Sequence, residues 1–233
     1  MAEPGQPSKA ALRAEIRERR RIMTPLEREI AAEKLLTNMK FIVDENVAGR
    51  IACYLNQPDE PPTREFVEWA TGEGISVLVP AAREDGLMDW VLYDTGDELL
   101  SDPLGIDIPN NTSYGPIVLS QVDLIFVPAA AVAADGMRLG WGRGYFDRAL
   151  GALQHEAPTY AVLFDHEVVD DLPREVHDQA VKGAVTPEPW NVTPTAEKSF
   201  RSFPPQASQV VSDASEKSCW ISKALSQAVQ RYE

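Results

Sequence analysis

Cysteine and histidine are scarce in this chain of 233 residues, which holds 2 of the first and 3 of the second. Cys53 and Cys219 stand far apart and in no CxxC or His-rich spacing, so neither a disulfide framework nor a zinc site is indicated. A reducing compartment fits this usage. The N-terminus, "MAEPGQPSKAALRAEIRERRR", lacks the apolar region of a signal peptide, and no run of about 18 apolar residues occurs anywhere. A cytoplasmic protein with no membrane partner is expected, and the N-x-[ST] sequons at Asn110, Asn111 and Asn191 then carry no meaning.

Positive charge is also in short supply. The formal net charge of −14 and pI near 4.7 argue against a nucleic-acid partner, because a polyphosphate rewards clustered Lys and Arg. Residues 1–40 reverse the balance, with 9 Lys and Arg against 6 Asp and Glu. That segment is either a solvated helix face or a local anion site.

What is present is a regular alternation of elements, and no internal repeat is found. Ser8 can cap a helix on which Leu12, Ile16 and Met23 recur at helical spacing, with Lys9, Arg13, Arg17, Arg20 and Arg21 on much of the remaining surface. "TPLE" at 24–27 opens a second helix with an N-cap, a proline at the first helical position and the glutamate of a capping box. Strand-like runs follow at 50–55, 75–81, 90–94, 122–132 and 159–165, with helices at 63–72 and 144–154 between them and a short strand-like run at 183–186. This order predicts a single α/β domain over 1–188, a mostly parallel sheet with helices on both faces in three layers. From about 188 the chain turns rich in Pro, Ser and Thr, so 189–233 reads as a linker followed by a helix over 219–232.

Ligands of such sheets gather at the carboxyl ends of the strands. There lies "GMRLGWGRGYFDRAL" at 136–150. Its glycines permit positive φ and close approach to main-chain N–H groups, while Arg138 and Arg143 add fixed charge suited to phosphate. The spacing is not GxxxxGK[ST], and GxGxxG would need a glycine where Asp147 stands. The stretch therefore serves either a tight strand-to-helix turn or an anion. Asp147, in the first helical turn, either favours the helix dipole or takes a magnesium ion that bridges phosphates, with Asp178 a candidate second carboxylate.

Four segments in order carry a resemblance. "KAALR" at 9–13 is similar to a K-x-x-L-R motif, "YLNQPDEPPT" at 54–63 to Y-L-x(4–5)-E-x-x-T, "RLGWGRGYFDR" to RLG-x-G-x-GYYDR, and "LPREVHDQAV" to P-x-E-x-H-D-x-x-V. Together they resemble the 5-formyltetrahydrofolate cyclo-ligase family, also called 5,10-methenyltetrahydrofolate synthetase, across roughly residues 8–187. The resemblance implies a CoA-transferase-like α/β fold and a reaction that uses ATP and Mg2+ to turn 5-formyltetrahydrofolate into 5,10-methenyltetrahydrofolate; a monomer is a separate expectation. By resemblance, ATP would be held by Lys9, Arg13, Arg138, Leu139, Gly140, Trp141, Gly142, Arg143, Gly144, Tyr145 and Phe146. Arg13, Leu55, Glu60 and Tyr145 would meet the folate, Arg138 and Tyr145 would be catalytic, and Asp147 and Asp178 would hold Mg2+. Phe146 replaces the second tyrosine of the signature, and Arg143 stands where many members have Gly or Lys. Ala81, Leu104 and Ile108 depart from the family pattern at positions expected on the folate-pocket walls. Two other readings suit the α/β pattern alone: a sugar-phosphate isomerase or CoA-transferase-like enzyme, and a non-catalytic nucleotide-binding module.

Overall fold

The Ser8 hydroxyl accepts a hydrogen bond from the Ala11 amide at 3.2 Å, and helix α1 runs from Lys9 to Ile22 as the spacing predicts. The structure, a computed structural model, describes residues 8–153, 157–175 and 178–188. The expected linker from 189 and helix over 219–232 lie outside the described residues, as do His177 and Cys219. Helix α2 spans Pro25–Asn46, and the Thr24–Glu27 capping box forms at its start.

Strand β1 (Arg50–Ala52) leads through α3 (Arg64–Gly72) to β2 (Ser76–Ala82) and β3 (Met88–Tyr93). Three short strands, β4 (Leu99–Ser101), β5 (Asp107–Pro109) and β6 (Ser113–Tyr114), precede β7 (Leu124–Pro128). Next come β8 (Ala131–Ala133), β9 (Arg138–Leu139), α4 (Tyr145–Gly151), β10 (Thr159–Val162), β11 (Val168–Val169) and β12 (Gly183–Val185).

The main sheet has 7 strands in the order β12-β10-β7-β1-β2-β3-β6. From β12 to β2 the strands are parallel, and β3 and β6 close one edge antiparallel. Successive side chains of a strand face opposite sides, which divides the core in two. Ile51, Val77, Val79, Leu124 and Phe126 pack under α2 and α3. Ala52, Leu78, Ile125 and Val127 meet Val118 and Leu119 of a 3-10 turn over Pro116–Gln121 and Ala149 of α4. Both faces are covered, the second by much shorter elements.

The apolar run at 122–132 is not one strand. It ends as β7 at Pro128, bends through buried Ala129 and Ala130, and resumes as β8 in a separate 3-stranded sheet of order β11-β8-β9. A continuous apolar run has no period to mark such a change of sheet. The small sheet packs against α1 through Ala131, Ala133, Leu139 and Ile16, which brings the basic helix beyond the carboxyl end of β7. Among the described residues no helix is long and apolar enough to cross a membrane.

Candidate active site

Between β9 and α4 the backbone adopts the conformation that its glycines allow. Gly142 and Gly144 have φ of +91° and +70°, and a Cβ at Gly144 would lie 2.8 Å from Arg148 Nη1. Only glycine enters that region without strain. The loop folds back on α1, where Arg13 Nε donates to the Gly140 carbonyl at 2.7 Å.

Charges collect around this loop in opposed pairs. Arg138 is 3% exposed and sends Nη2 to Asp147 Oδ1 at 2.5 Å. Burial pushes its pKa down, while Asp147 and Asp178 both oppose that shift. Lys9 Nζ lies 2.7 Å from Asp178 Oδ2 and 3.0 Å from Glu175 Oε2. Its burial also acts downward, but the hydrogen bonds to Asp178 and Glu175 outweigh it and hold the ammonium above its usual range.

Beside the loop opens a cavity of about 270 Å³. Glu60 and Gln57 line one part, Pro80, Ala82, Met88, Leu104 and Ile106 supply an apolar wall, and Arg138, Tyr145, Phe146 and Asp147 border the loop side. Burial raises the pKa of Glu60, against a backbone hydrogen bond from Gln57 and the charge of Arg20. A second hollow, about 590 Å³, shares Arg143, Gly144 and Asp147 with the first and adds Gly142, Arg148 and Gln179.

Leu55, Glu60, Arg138, Gly140, Trp141, Arg143, Gly144, Tyr145, Phe146 and Asp147 all line the first cavity. Lys9, Arg13 and Asp178 lie outside that lining and join the site through the charge pairs and the Gly140 carbonyl. The Leu139 side chain is buried in the small core beside Ile16, its carbonyl accepts from the Ala130 amide at 2.7 Å, and it lines neither hollow. Tyr145 lines the cavity, and its hydroxyl donates to the Arg83 carbonyl at 3.0 Å.

The pocket-wall expectations need correction. Of Ala81, Leu104 and Ile108, the cavity is lined by Leu104, with Ala82 and Ile106 in place of the other two. Ala81 belongs to the α2/α3 core, and Ile108 packs against the same core; on β2 the period of two turns Ala81 away and Ala82 inward. Sequence reasoning also missed Asp102. Its carboxylate accepts from the amides of Ala82 (3.0 Å), Leu104 (2.8 Å) and Ile106 (2.9 Å), tying the apolar wall to β2. The Asp-Pro-x-Gly run at 102–105 is a turn signal that could have found it.

Arg20 is likewise corrected from a surface charge to a buried one, 1% exposed. It forms a two-point pair with Glu167 at 2.6 and 2.8 Å, and its guanidinium lies 4.9 Å from the Trp141 ring centroid.

A hard divalent cation takes oxygen ligands, and Mg2+ is commonly held by one or two carboxylates together with phosphate oxygens. Asp147 and Asp178 are two carboxylates whose charges both act on Arg138, which makes them the candidates for such a role. No cluster of three or more His, Cys, Asp or Glu able to hold a metal occurs among the described residues. This donor set fits a cation completed by phosphate rather than one caged by protein.

The fold is a largely parallel-sheet α/β one that sets an arginine- and glycine-rich loop beside an apolar pocket. Residues 5–187 match the 5-formyltetrahydrofolate cyclo-ligase family, and the chain belongs to that family. It is 32% identical over 190 residues to the 5-formyltetrahydrofolate cyclo-ligase of Mycolicibacterium smegmatis, covering 78% of this chain and 94% of that protein. To the enzyme of the same name from Escherichia coli it is 29% identical over 175 residues, covering 74% and 96%. The structure of a 5,10-methenyltetrahydrofolate synthetase from Aquifex aeolicus superposes with a TM-score of 0.69 at 25% identity, covering 83% of this chain and 96% of that one.

Proposed function

We propose that the protein uses ATP and Mg2+ to convert 5-formyltetrahydrofolate to 5,10-methenyltetrahydrofolate, releasing ADP and phosphate. The observation that carries this reading is the shared border of the two hollows: Arg143, Gly144 and Asp147 line both the apolar cavity that contains Glu60 and the open hollow along the glycine loop. A folate in the first and a triphosphate in the second would meet at that border.

The chemistry needs such a meeting. A formamide carbon is a poor electrophile, and its oxygen is a poor leaving group. Attack of the formyl oxygen on the terminal phosphorus, with ADP departing, changes both. N10 of the same molecule then attacks the activated carbon, the five-membered ring closes, phosphate leaves with the former formyl oxygen, and the N10 proton passes to phosphate or solvent. Nucleophile and electrophile belong to one substrate, so the protein's work is positioning and charge neutralisation.

Glu60 accepts hydrogen bonds from the pterin edge, and Leu55 with the Pro80–Ile106 wall holds the ring. Arg138, Lys9 and Arg13 face the phosphates, and the main chain from Arg138 to Phe146 wraps them. Asp147 and Asp178 would hold Mg2+, which supplies further neutralisation of phosphate charge. The test is near-ultraviolet absorbance of the methenyl product. It should appear only with ATP, Mg2+ and 5-formyltetrahydrofolate together; product without nucleotide, or none with all three, overturns the proposal.

A further inference from the structure

The charge pairs of the loop have an unusual composition. Each joins a side chain assigned to the phosphates with one assigned to the metal. Lys9 is paired with Asp178, at side-chain exposures of 14% and 9%, and Arg138 with Asp147, at 1% and 16%. Neither pair is well solvated. Arg138 is also incompletely satisfied, since Nη1 reaches the Pro128 carbonyl only at 3.4 Å and buried Nε has no partner among the described residues. A guanidinium so buried, with a donor unanswered, is placed to receive a further acceptor.

Consider what each ligand would do alone. A nucleotide anion that drew Lys9 and Arg138 to its phosphates would leave Asp147 and Asp178 as carboxylates beside more negative charge. A cation that drew the two carboxylates away would leave Arg138 as a lone buried charge. Stranding a charge in a poorly solvated place is costly in either case. When the two arrive together, every broken pair is replaced by another, phosphate for carboxylate on the cations and metal for cation on the carboxylates.

We infer that Lys9–Asp178 and Arg138–Asp147 form an exchange set that couples the binding of a divalent cation to that of a nucleotide, so that the site selects the metal–nucleotide complex and rejects the free anion. This rests on the roles proposed above for the four residues. Because the coupling is a free energy shared by both ligands, each must raise the other's affinity by the same factor.

Isothermal calorimetry on the full chain tests the inference with three titrants: ATP in EDTA, ATP with Mg2+, and Mg2+ alone. The wild type should bind ATP in EDTA at least about tenfold more weakly than with Mg2+. The double variant Asp147→Asn, Asp178→Asn should bind ATP in EDTA more tightly than the wild type, by about tenfold, and gain nothing from Mg2+. Asp178→Asn alone should give part of that rise and should give none on a Lys9→Met background, since a carboxylate that acted only by its own repulsion of phosphate would give the same rise with Lys9 or without it, and a damaged fold would lower the affinity. Lys9→Met, at a partly exposed helix end, should bind Mg2+ alone more tightly and ATP more weakly, and it decides the matter should the double variant fail to fold. Metal-free ATP bound no better by the double variant, or Mg2+ bound no better by Lys9→Met, overturns the exchange while leaving the nucleotide site in place. A wild type that binds ATP under neither condition overturns the nucleotide reading and the exchange with it.

Discussion

Arg20 and Arg138 are almost equally buried, at 1% and 3% exposure, yet their surroundings differ in kind. Arg20 donates twice to Glu167 and once to the Ala129 carbonyl at 2.9 Å, and Glu167 also accepts from the Phe164 amide at 2.9 Å. Every strong partner it needs comes from the protein. Arg138 has one close carboxylate, one long contact to a carbonyl and one buried donor without a partner among the described residues. A closed set of hydrogen bonds fixes one arrangement of the chain, whereas an open set leaves capacity for a ligand. Arg20 therefore belongs to the architecture, where it clamps α1 to the β7–β8 bend, and Arg138 to the proposed chemistry.

The sharpest way to break this contrast is to remove each arginine and ask which property fails. Arg20→Met leaves Glu167, 0% exposed, as an uncompensated buried carboxylate. The expected loss of stability is about 3–5 kcal/mol, read from the midpoint of chemical denaturation. The double variant Arg20→Met, Glu167→Leu exchanges the pair for apolar contact and should recover part of that loss, the Phe164 amide being left without its acceptor, with turnover per folded molecule little changed. A stable double variant with no turnover would place Arg20 in the chemistry and erase the distinction.

Arg138→Lys should behave in the opposite way. The charge stays but the planar fork is lost, and turnover should fall by about 10²–10³-fold, the scale seen when one aimed donor is removed from a transition state. The melting temperature should move little. Near-normal turnover with a large fall in melting temperature would make Arg138 a second Arg20.

Glu60→Gln sharpens the comparison from the apolar side of the site. A carboxylate facing ring N–H donors makes charge-assisted bonds, and replacing it should weaken folate binding by about 1.5–3 kcal/mol while the KM for ATP stays constant. Burial raises the Glu60 pKa above 4.5, so its ionised form is reached at a higher pH than for an exposed glutamate. Wild-type folate affinity should rise with pH through that elevated value, and the Gln variant should lose the dependence. The stability linkage has the opposite sense: the contribution of Glu60 is fully present below pH 4.5 and is lost as pH rises through the higher folded value. Equal KM changes for both substrates would contradict a pterin-specific role.

These differences also show what local sequence can and cannot disclose. The caps at Ser8 and Thr24, the helix at Arg64–Gly72 and the parallel strands were legible because each is set by residues within a few positions of one another. The strands β8, β9 and β11, of 3, 2 and 2 residues, are too short to show a period. Arg20 looked like one more surface arginine on a basic helix because its partner lies 147 residues away. Within the site, the glycine loop, Glu60 and Leu55 were marked by motif, and Arg13 by its place in "KAALR". The roles of Asp102 and Ala82 were not legible, since they depend on which face of β2 meets the cavity and on where the 102–106 turn is anchored.

The smallest effect is expected where the described chain ends. Asn38, buried in α2, donates Nδ2 to the carbonyls of Thr186 (2.7 Å) and Pro187 (3.2 Å), and Lys34 pairs with Glu188. These bonds fasten the turn after β12, an edge strand of the main sheet, onto the helix that covers it. A chain stopped after Glu188 keeps all of them and every residue given a role in the site. Its turnover should lie within about twofold of the full chain and its stability within about 0.5 kcal/mol, the range of changes that touch no packed feature. Stopping after Val185 instead removes both acceptors and leaves the Asn38 amide buried without its partners, at a cost of about 1–3 kcal/mol. Measuring both truncations separates the anchor from the extension, and a soluble, folded chain ending at Glu188 but lacking turnover would show that residues beyond 188 belong to the working enzyme.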